Sequence, residues 1–160
     1  MIRRAEKKDI PGIIHLLKQV LLVHAEGRPD LFKKVGYKYT PEELSELLAD
    51  EKRPVFVYLD ENGQVLGHCF CIIEEQPETA ACYQRKTLYI DDLCVEENVR
   101  GQHIGTKLYE HVKAYAGENG FYNITLHVWD CNPAAMAFYK SVGLFVQSTT
   151  IETIVKETLK

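Results

Sequence analysis

The chain has 160 residues, enough for one domain with a full core and short for two. Hydrophobic residues at 46%, charged residues at 26% and a formal net charge of −4 suit a soluble globular protein, and they exclude general affinity for nucleic acid, which needs a clustered basic surface. Residues 1–8 are basic but lead into no apolar secretory region, and the most apolar stretch, 13–23, contains His15, Lys18 and Gln19 and is too short to cross a bilayer. A cytoplasmic protein with no membrane partner is expected. The five cysteines, Cys69, Cys71, Cys82, Cys94 and Cys131, are odd in number and mostly lie in apolar runs, as reduced core thiols do. Cys69 and Cys71 would share one face of a strand, but no second pair at ligand spacing accompanies them, so no metal is expected.

In chain order, residues 1–5 read as a strand. Asp9 as N-cap and Pro11 in the first turn open a helix to about Val23, with Ile10, Ile13, Ile14, Leu17 and Leu21 on its buried face. Residues 24–32 break the pattern with Gly27 and Pro29, as a loop would. Thr40, Pro41 and Glu43 make a capping box for a second helix ending near Asp50. Strands at 54–59 and 65–73 flank Asn62-Gly63, a hairpin signal, and a polar loop from about 75 to 85 leads to a strand at 87–95. A helix at 104–119 ends at Gly120, a strand spans 122–129, a helix at 132–142 ends at Gly143, and a last strand covers 144–155. The strand-helix-strand unit forces 87–95 and 122–129 to run parallel, so the sheet must be mixed.

The stretch Val99 to Thr106 joins a strand to a helix through Gly101 and Gly105. A turn of that kind points several backbone N–H groups at one spot, where the helix dipole also favours negative charge, and so suits phosphate. Neither the dinucleotide G-x-G-x-x-G nor the triphosphate G-x-x-x-x-G-K-[ST] pattern fits, because the two glycines are four apart and Thr106-Lys107 are in the wrong order.

Arg100-Gly101-Gln102-His103-Ile104-Gly105 resembles the R-x-x-G-x-[GA] motif of the GNAT superfamily of acetyl-CoA-dependent N-acetyltransferases. Asn132 to Leu144 is similar to the same family's N-x-x-A-x-x-[FL]-Y-x-x-x-G-[FL] motif, and the two stand in the right order. The resemblance covers essentially the whole chain. It implies a single α/β (α+β) domain over 1–160, with a mixed, mostly antiparallel sheet of about six strands, a splayed parallel pair and about four flanking helices. It also implies acetyl-CoA as co-substrate, with the pantetheine arm along the strand at Leu93, Cys94 and Val95. The pyrophosphate would lie on the turn of Arg100, Gly101, Gln102, His103, Ile104, Gly105 and Thr106. His103 departs from the pattern, which has glycine there, so a positive φ is less free than usual. Its amide is available to the pyrophosphate all the same. Asn132 is implied to contact pantetheine, or else to be an ordinary N-cap with Pro133 behind it.

The resemblance assigns Tyr139 the general acid that protonates the departing thiolate; otherwise it packs beside Phe138. The acceptor amine must lose a proton, and Asp91 matches the acidic position of related polyamine-type enzymes, acting directly, through water, or only as a binding anion. In a regular strand Asp91 and Asp92 point to opposite faces, so at most one meets the substrate unless a bulge intervenes. His24, Arg28, Asp30 and Phe32 fall where the family makes acceptor contacts, although Arg28-Pro29-Asp30 also reads as a solvated turn. Glu74, Glu75, Asp91 and Asp130 would favour a cationic acceptor. The expected activity is direct acetyl transfer to a small-molecule or peptide amine in a ternary complex. The rival is a non-catalytic acyl-CoA-binding module of the same fold. A thiol route through Cys94 or Cys131 requires an activating base. A homodimer through the 144–155 region is expected by analogy of fold.

Overall fold

The computed structural model describes residues 1–156. Five strands, β1 (Ile2–Arg4), β2 (Val55–Leu59), β3 (Val65–Gln76), β4 (Arg85–Val95) and β5 (Asn123–Leu126), form one sheet in the order β1-β2-β3-β4-β5. All neighbours are antiparallel except β4 and β5, which run parallel as the crossover through the intervening helix requires. The helices are α1 (Ile10–Gly27), α2 (Pro41–Ala49), α3 (Ile104–Glu118) and α4 (Pro133–Ser141). Two compact units result, one of Met1–Lys18 with Tyr37–His127, which holds the sheet, and one of Gln19–Gly36 with the chain from Val128 onward.

In the sheet unit, the apolar spacing of α3 buries Ile104, Leu108, Val112 and Ala116. Phe56 of β2 meets His111 and Tyr115 of that helix at ring-centroid distances of 5.1 and 5.2 Å. Gly67 lets α3 come close: a Cβ there would sit 2.9 Å from Leu108 Cδ1 and 3.1 Å from the Cys94 carbonyl oxygen. On the other face, the Cys94 thiol lies 3.7 Å from the carbonyl of Leu16 in α1, whose Ile13, Leu16 and Leu17 are buried. The start of α2 is the expected capping box: Thr40 Oγ1 accepts from Glu43 N–H at 3.2 Å, and the Glu43 carboxylate accepts from Thr40 N–H at 2.8 Å.

Four expectations are corrected. Asp9 is not a side-chain cap for α1, because a 3-10 turn (Lys7–Asp9) precedes the helix and the carboxylate accepts from Glu6 N–H at 2.7 Å and, bidentately, from Arg3 at 2.7 and 3.0 Å. The first helix runs to Gly27 rather than Val23; buried Ala25 repays the extra turn, and Pro29 is the true breaker. β5 is only four residues long and stops before Val128. Residues 144–155 carry no strand, leaving Phe145 and Val155 exposed: their β-branched pattern suits a strand, but that propensity is realised only where an edge pairs with it.

The Asp9 side chain is 3% exposed. Burial works to raise its carboxyl pKa, and the hydrogen bonds from Arg3 and Glu6 outweigh it, holding the group below the usual range. Stability from this pair is therefore present above the ordinary carboxyl pKa and is lost as pH falls through the depressed folded value. Asp9→Ala is expected to cost about 2 kcal/mol in urea unfolding at pH 7, because Arg3 and Glu6 N–H lose the buried carboxylate while Arg3 keeps the Arg4 carbonyl and Glu6, and to cost much less at pH 2.

Candidate active site

The sheet unit contains a strand edge that opens into a turn. β4 pairs with β5 only from Thr87 to Ile90, opposite Asn123 to Leu126, and among the described residues the next five of β4 have no strand on that side. Glu96 N–H donates to Leu66 C=O of β3 at 2.9 Å, and main-chain direction alternates along a strand. Leu93 and Val95 therefore turn their main-chain groups to the open edge, as a strand-like ligand requires. Arg100 Nε donates to the Val95 carbonyl at 3.2 Å and folds the turn back against the end of the strand.

Gly101 has φ +82°, which a side chain would strain. His103 is the one non-glycine residue with positive φ among the described residues, at +60° and ψ 18°, and its carbonyl accepts from Lys107 N–H at 3.0 Å in the first turn of α3. The turn thus keeps the left-handed residue that glycine would supply, at a conformational cost of about 1 kcal/mol, and Gln102 to Thr106 present their amides at the helix start. His103→Gly is expected to raise stability by up to about 1 kcal/mol, read as a higher Tm, and to leave coenzyme affinity unchanged. A large gain in affinity would mean that the imidazole obstructs the site.

The bulge that the sequence left conditional is present. Register shifts so that Phe70 faces Asp92 while the next residue, Cys71, faces Ile90, and Asp91 is the extra residue. Phe70 and Cys71 point to opposite faces, so Ile90 and Asp92 do too, although an unbroken strand would set them on one face. Lys38, from the segment before α2, donates to Asp91 Oδ2 at 3.1 Å. Burial works against its ammonium, and Asp92 first and then Asp91 outweigh that, holding its pKa above the ordinary lysine value. Both carboxylates act on one cation. Behind Asp92 lies His68, fully buried, with Nε2 2.9 Å from Asp92 Oδ2 and Nδ1 without a partner among the described residues. With Nε2 as donor to the carboxylate, the imidazole fixes the Asp92 side chain.

Tyr89, on the part of β4 that pairs with β5, has its hydroxyl 2.9 Å from His127 Nδ1. Burial, with Asp91 and Glu74 nearby, pushes its phenol pKa up. Burial likewise pushes the Cys94 thiol up to about 12, which makes it a poor nucleophile near neutral pH. Among the described residues no group of three or more His, Cys, Asp or Glu side chains is arranged to hold a metal ion. No helix of the described residues is long and apolar enough to cross a membrane.

The second unit gathers the acceptor-loop candidates. His24 lies on the last turn of α1, not in a loop, with its ring 5.1 Å from Phe32, and Phe32 meets Trp129 edge-on at 5.4 Å. Arg28 sits over the Trp129 ring at 5.6 Å, bonds Asp30 bidentately at 2.9 and 2.7 Å, and pairs with Glu152. Those hydrogen bonds, from Asp30 first and Glu152 second, hold the guanidinium pKa above its usual value. Also in this unit, Asn132 is the N-cap of α4, its side chain accepting from Ala135 N–H at 3.1 Å with Pro133 at the first position. Tyr139 is half-buried on α4, 5.1 Å from the Phe138 ring.

Sequence reasoning missed Lys38, His68, Trp129 and Glu152. Each acts on a partner distant in the chain, such as Lys38 on Asp91 and Glu152 on Arg28, and no local pattern announces such pairs.

The model of the Acetyltransferase (GNAT) family matches residues 22–144, and the chain belongs to that family. Thialysine N-epsilon-acetyltransferase of Bos taurus is 26% identical over 148 residues, which cover 89% of this chain and 82% of that protein. The crystal structure of a mutant of the BH1408 protein from Bacillus halodurans is similar at a TM-score of 0.93 and 32% identity, covering 98% of this chain and 99% of that one. An aminoglycoside acetyltransferase from an uncultured soil metagenomic sample, in complex with sisomicin, matches at a TM-score of 0.68 and 26% identity, covering 100% and 96%. The chain is a GNAT N-acetyltransferase, of a family that uses acetyl-CoA as co-substrate.

Proposed function

We propose that the chain acts as one domain that transfers the acetyl group of acetyl-CoA to a primary amine by direct attack within a ternary complex. The observation that carries this reading is the open main-chain edge at Leu93 and Val95 leading into the positive-φ turn at the N-terminus of α3. Main-chain groups of Leu93 and Val95 bond the pantetheine amides, and the amides from Gln102 to Thr106 take the pyrophosphate. Asn132 caps α4 and contacts the arm. The acceptor nitrogen attacks the thioester carbonyl, an N–C bond forms and the C–S bond breaks. Asp91, displayed by the bulge, takes the amine proton, and Tyr139 gives a proton to the departing thiolate.

The acceptor is a cationic small-molecule or peptide amine. Paired carboxylates at Asp91 and Asp92 support a cation, and two relatives are named for acetylating thialysine and aminoglycosides. His24, Arg28, Asp30 and Phe32 contribute acceptor contacts. A homodimer is supported by the exposed Phe145, Ile151 and Val155, and light scattering would test it.

The reading is tested by following CoA release over a panel of amines with both substrates varied. Release that requires an amine, with intersecting initial-velocity lines, is expected. Parallel lines would indicate a covalent acetyl-enzyme, against which the buried Cys94 argues. Acetyl-CoA binding without release for any amine would instead favour a non-catalytic acyl-CoA-binding module.

A further inference from the structure

We propose that Lys38 is an internal acceptor, its ε-amine receiving an acetyl group from acetyl-CoA bound along β4. The inference rests on the coenzyme reading above and extends it to a modification site on the chain itself. Lys38 Nζ is seated 3.1 Å from Asp91 Oδ2, the carboxylate to which the acceptor's proton is assigned. Chemically it is what that carboxylate would hold in a productive complex, a primary alkylamine. The lysine side chain is 34% exposed, and its neighbour Tyr39 stacks on Phe70 with ring centroids 6.0 Å apart, which anchors this segment against β3 beside the bulge.

Topology supplies the other reactant. The turn that takes the pyrophosphate follows β4 in the chain, so an arm extending along the open edge runs backward past Val95 and Leu93 and carries its thioester end toward Asp91. Lys38, the bulge and the edge all belong to the sheet unit. In the step itself the Lys38 ammonium first loses a proton through Asp91 to solvent, its nitrogen attacks the thioester carbonyl, the new N–C bond replaces the C–S bond, and the second amine proton passes to the departing thiolate. Free CoA and a neutral acetyl-lysine are the products.

The groups facing Lys38 are Asp91 and Asp92, with His68 behind Asp92, the phenols of Tyr39 and Tyr89, and Glu74 beside Tyr89. The two carboxylates keep the amine protonated, so transfer is slow near neutrality and speeds up as pH rises toward the lysine range.

The test incubates the full chain with acetyl-CoA at pH 7 and pH 9 and reads intact mass and acetylated peptides over time, with CoA release to an external amine measured in parallel. A single acetyl group on Lys38 is expected, forming at least about tenfold faster at pH 9, blocked by excess desulfo-CoA and slowed in Asp91→Asn. Lys38→Arg should carry no adduct at position 38. If external amines are acetylated while Lys38 stays unmodified, or gains acetyl no faster than other lysines and regardless of desulfo-CoA, the internal acceptor is refuted and the proposed function stands. If neither acetyl-CoA binding nor CoA release occurs, both fall together.

Discussion

Tyr139→Phe is expected to lower turnover at least about tenfold while leaving the affinity for acetyl-CoA and the Tm unchanged. The substitution keeps the ring beside Phe138 on α4 and removes only the hydroxyl. Thiolate expulsion is the step that suffers when no acid stands by, because the leaving sulfur must then collect its proton from water. A purely packing role for Tyr139 predicts the opposite pattern, full turnover with intact stability. The measurement is steady-state turnover at saturating amine beside a thermal melt of the same preparation, and undiminished turnover would remove the acid role.

Asp91→Asn is expected to lower kcat/KM about a hundredfold at pH 7, with the deficit shrinking as pH rises toward the range in which the acceptor amine loses its own proton. An alkylamine with an ordinary lysine-like pKa of about 10.4 is only about one part in a thousand unprotonated at pH 7, so the rate depends on a group that removes the proton. In the proposed reading Asp91, the extra residue of the bulge, has that task, and its amide analogue preserves shape while losing basicity. Lys38 keeps Asp92 as a counter-charge in the variant, so stability should change little. Were the pH profile of Asp91→Asn to match that of the parent, the base would lie elsewhere, with His24 the next candidate.

Local chemistry made much of this architecture readable. The Thr40 capping box, the Asn62-Gly63 hairpin and the glycine stops at 120 and 143 are decided within a few residues, and each stands where the sequence puts it. The glycine turn before α3 was equally legible as a turn, because its glycine spacing and the following helix are contiguous. The relation of Asp91 to Asp92 was not, since a bulge depends on how β3 and β4 settle their register, and alternation along one strand says nothing of that. For the same reason Lys38 and His68 went unnoticed: their partners lie 53 and 24 positions away. Residues 144–155 erred in the other direction, since a β-branched pattern signals readiness to pair and cannot say whether an edge is offered.

The coenzyme site at β4 and the start of α3 is the claim on which the rest depends, and calorimetric titration with acetyl-CoA tests it most directly, with desulfo-CoA and dephospho-CoA as controls. Micromolar binding that weakens as phosphates are trimmed and survives loss of the sulfur is the predicted result. No heat of binding up to millimolar acetyl-CoA would contradict it, and would mean that His103 in its left-handed conformation has cost the turn its ligand.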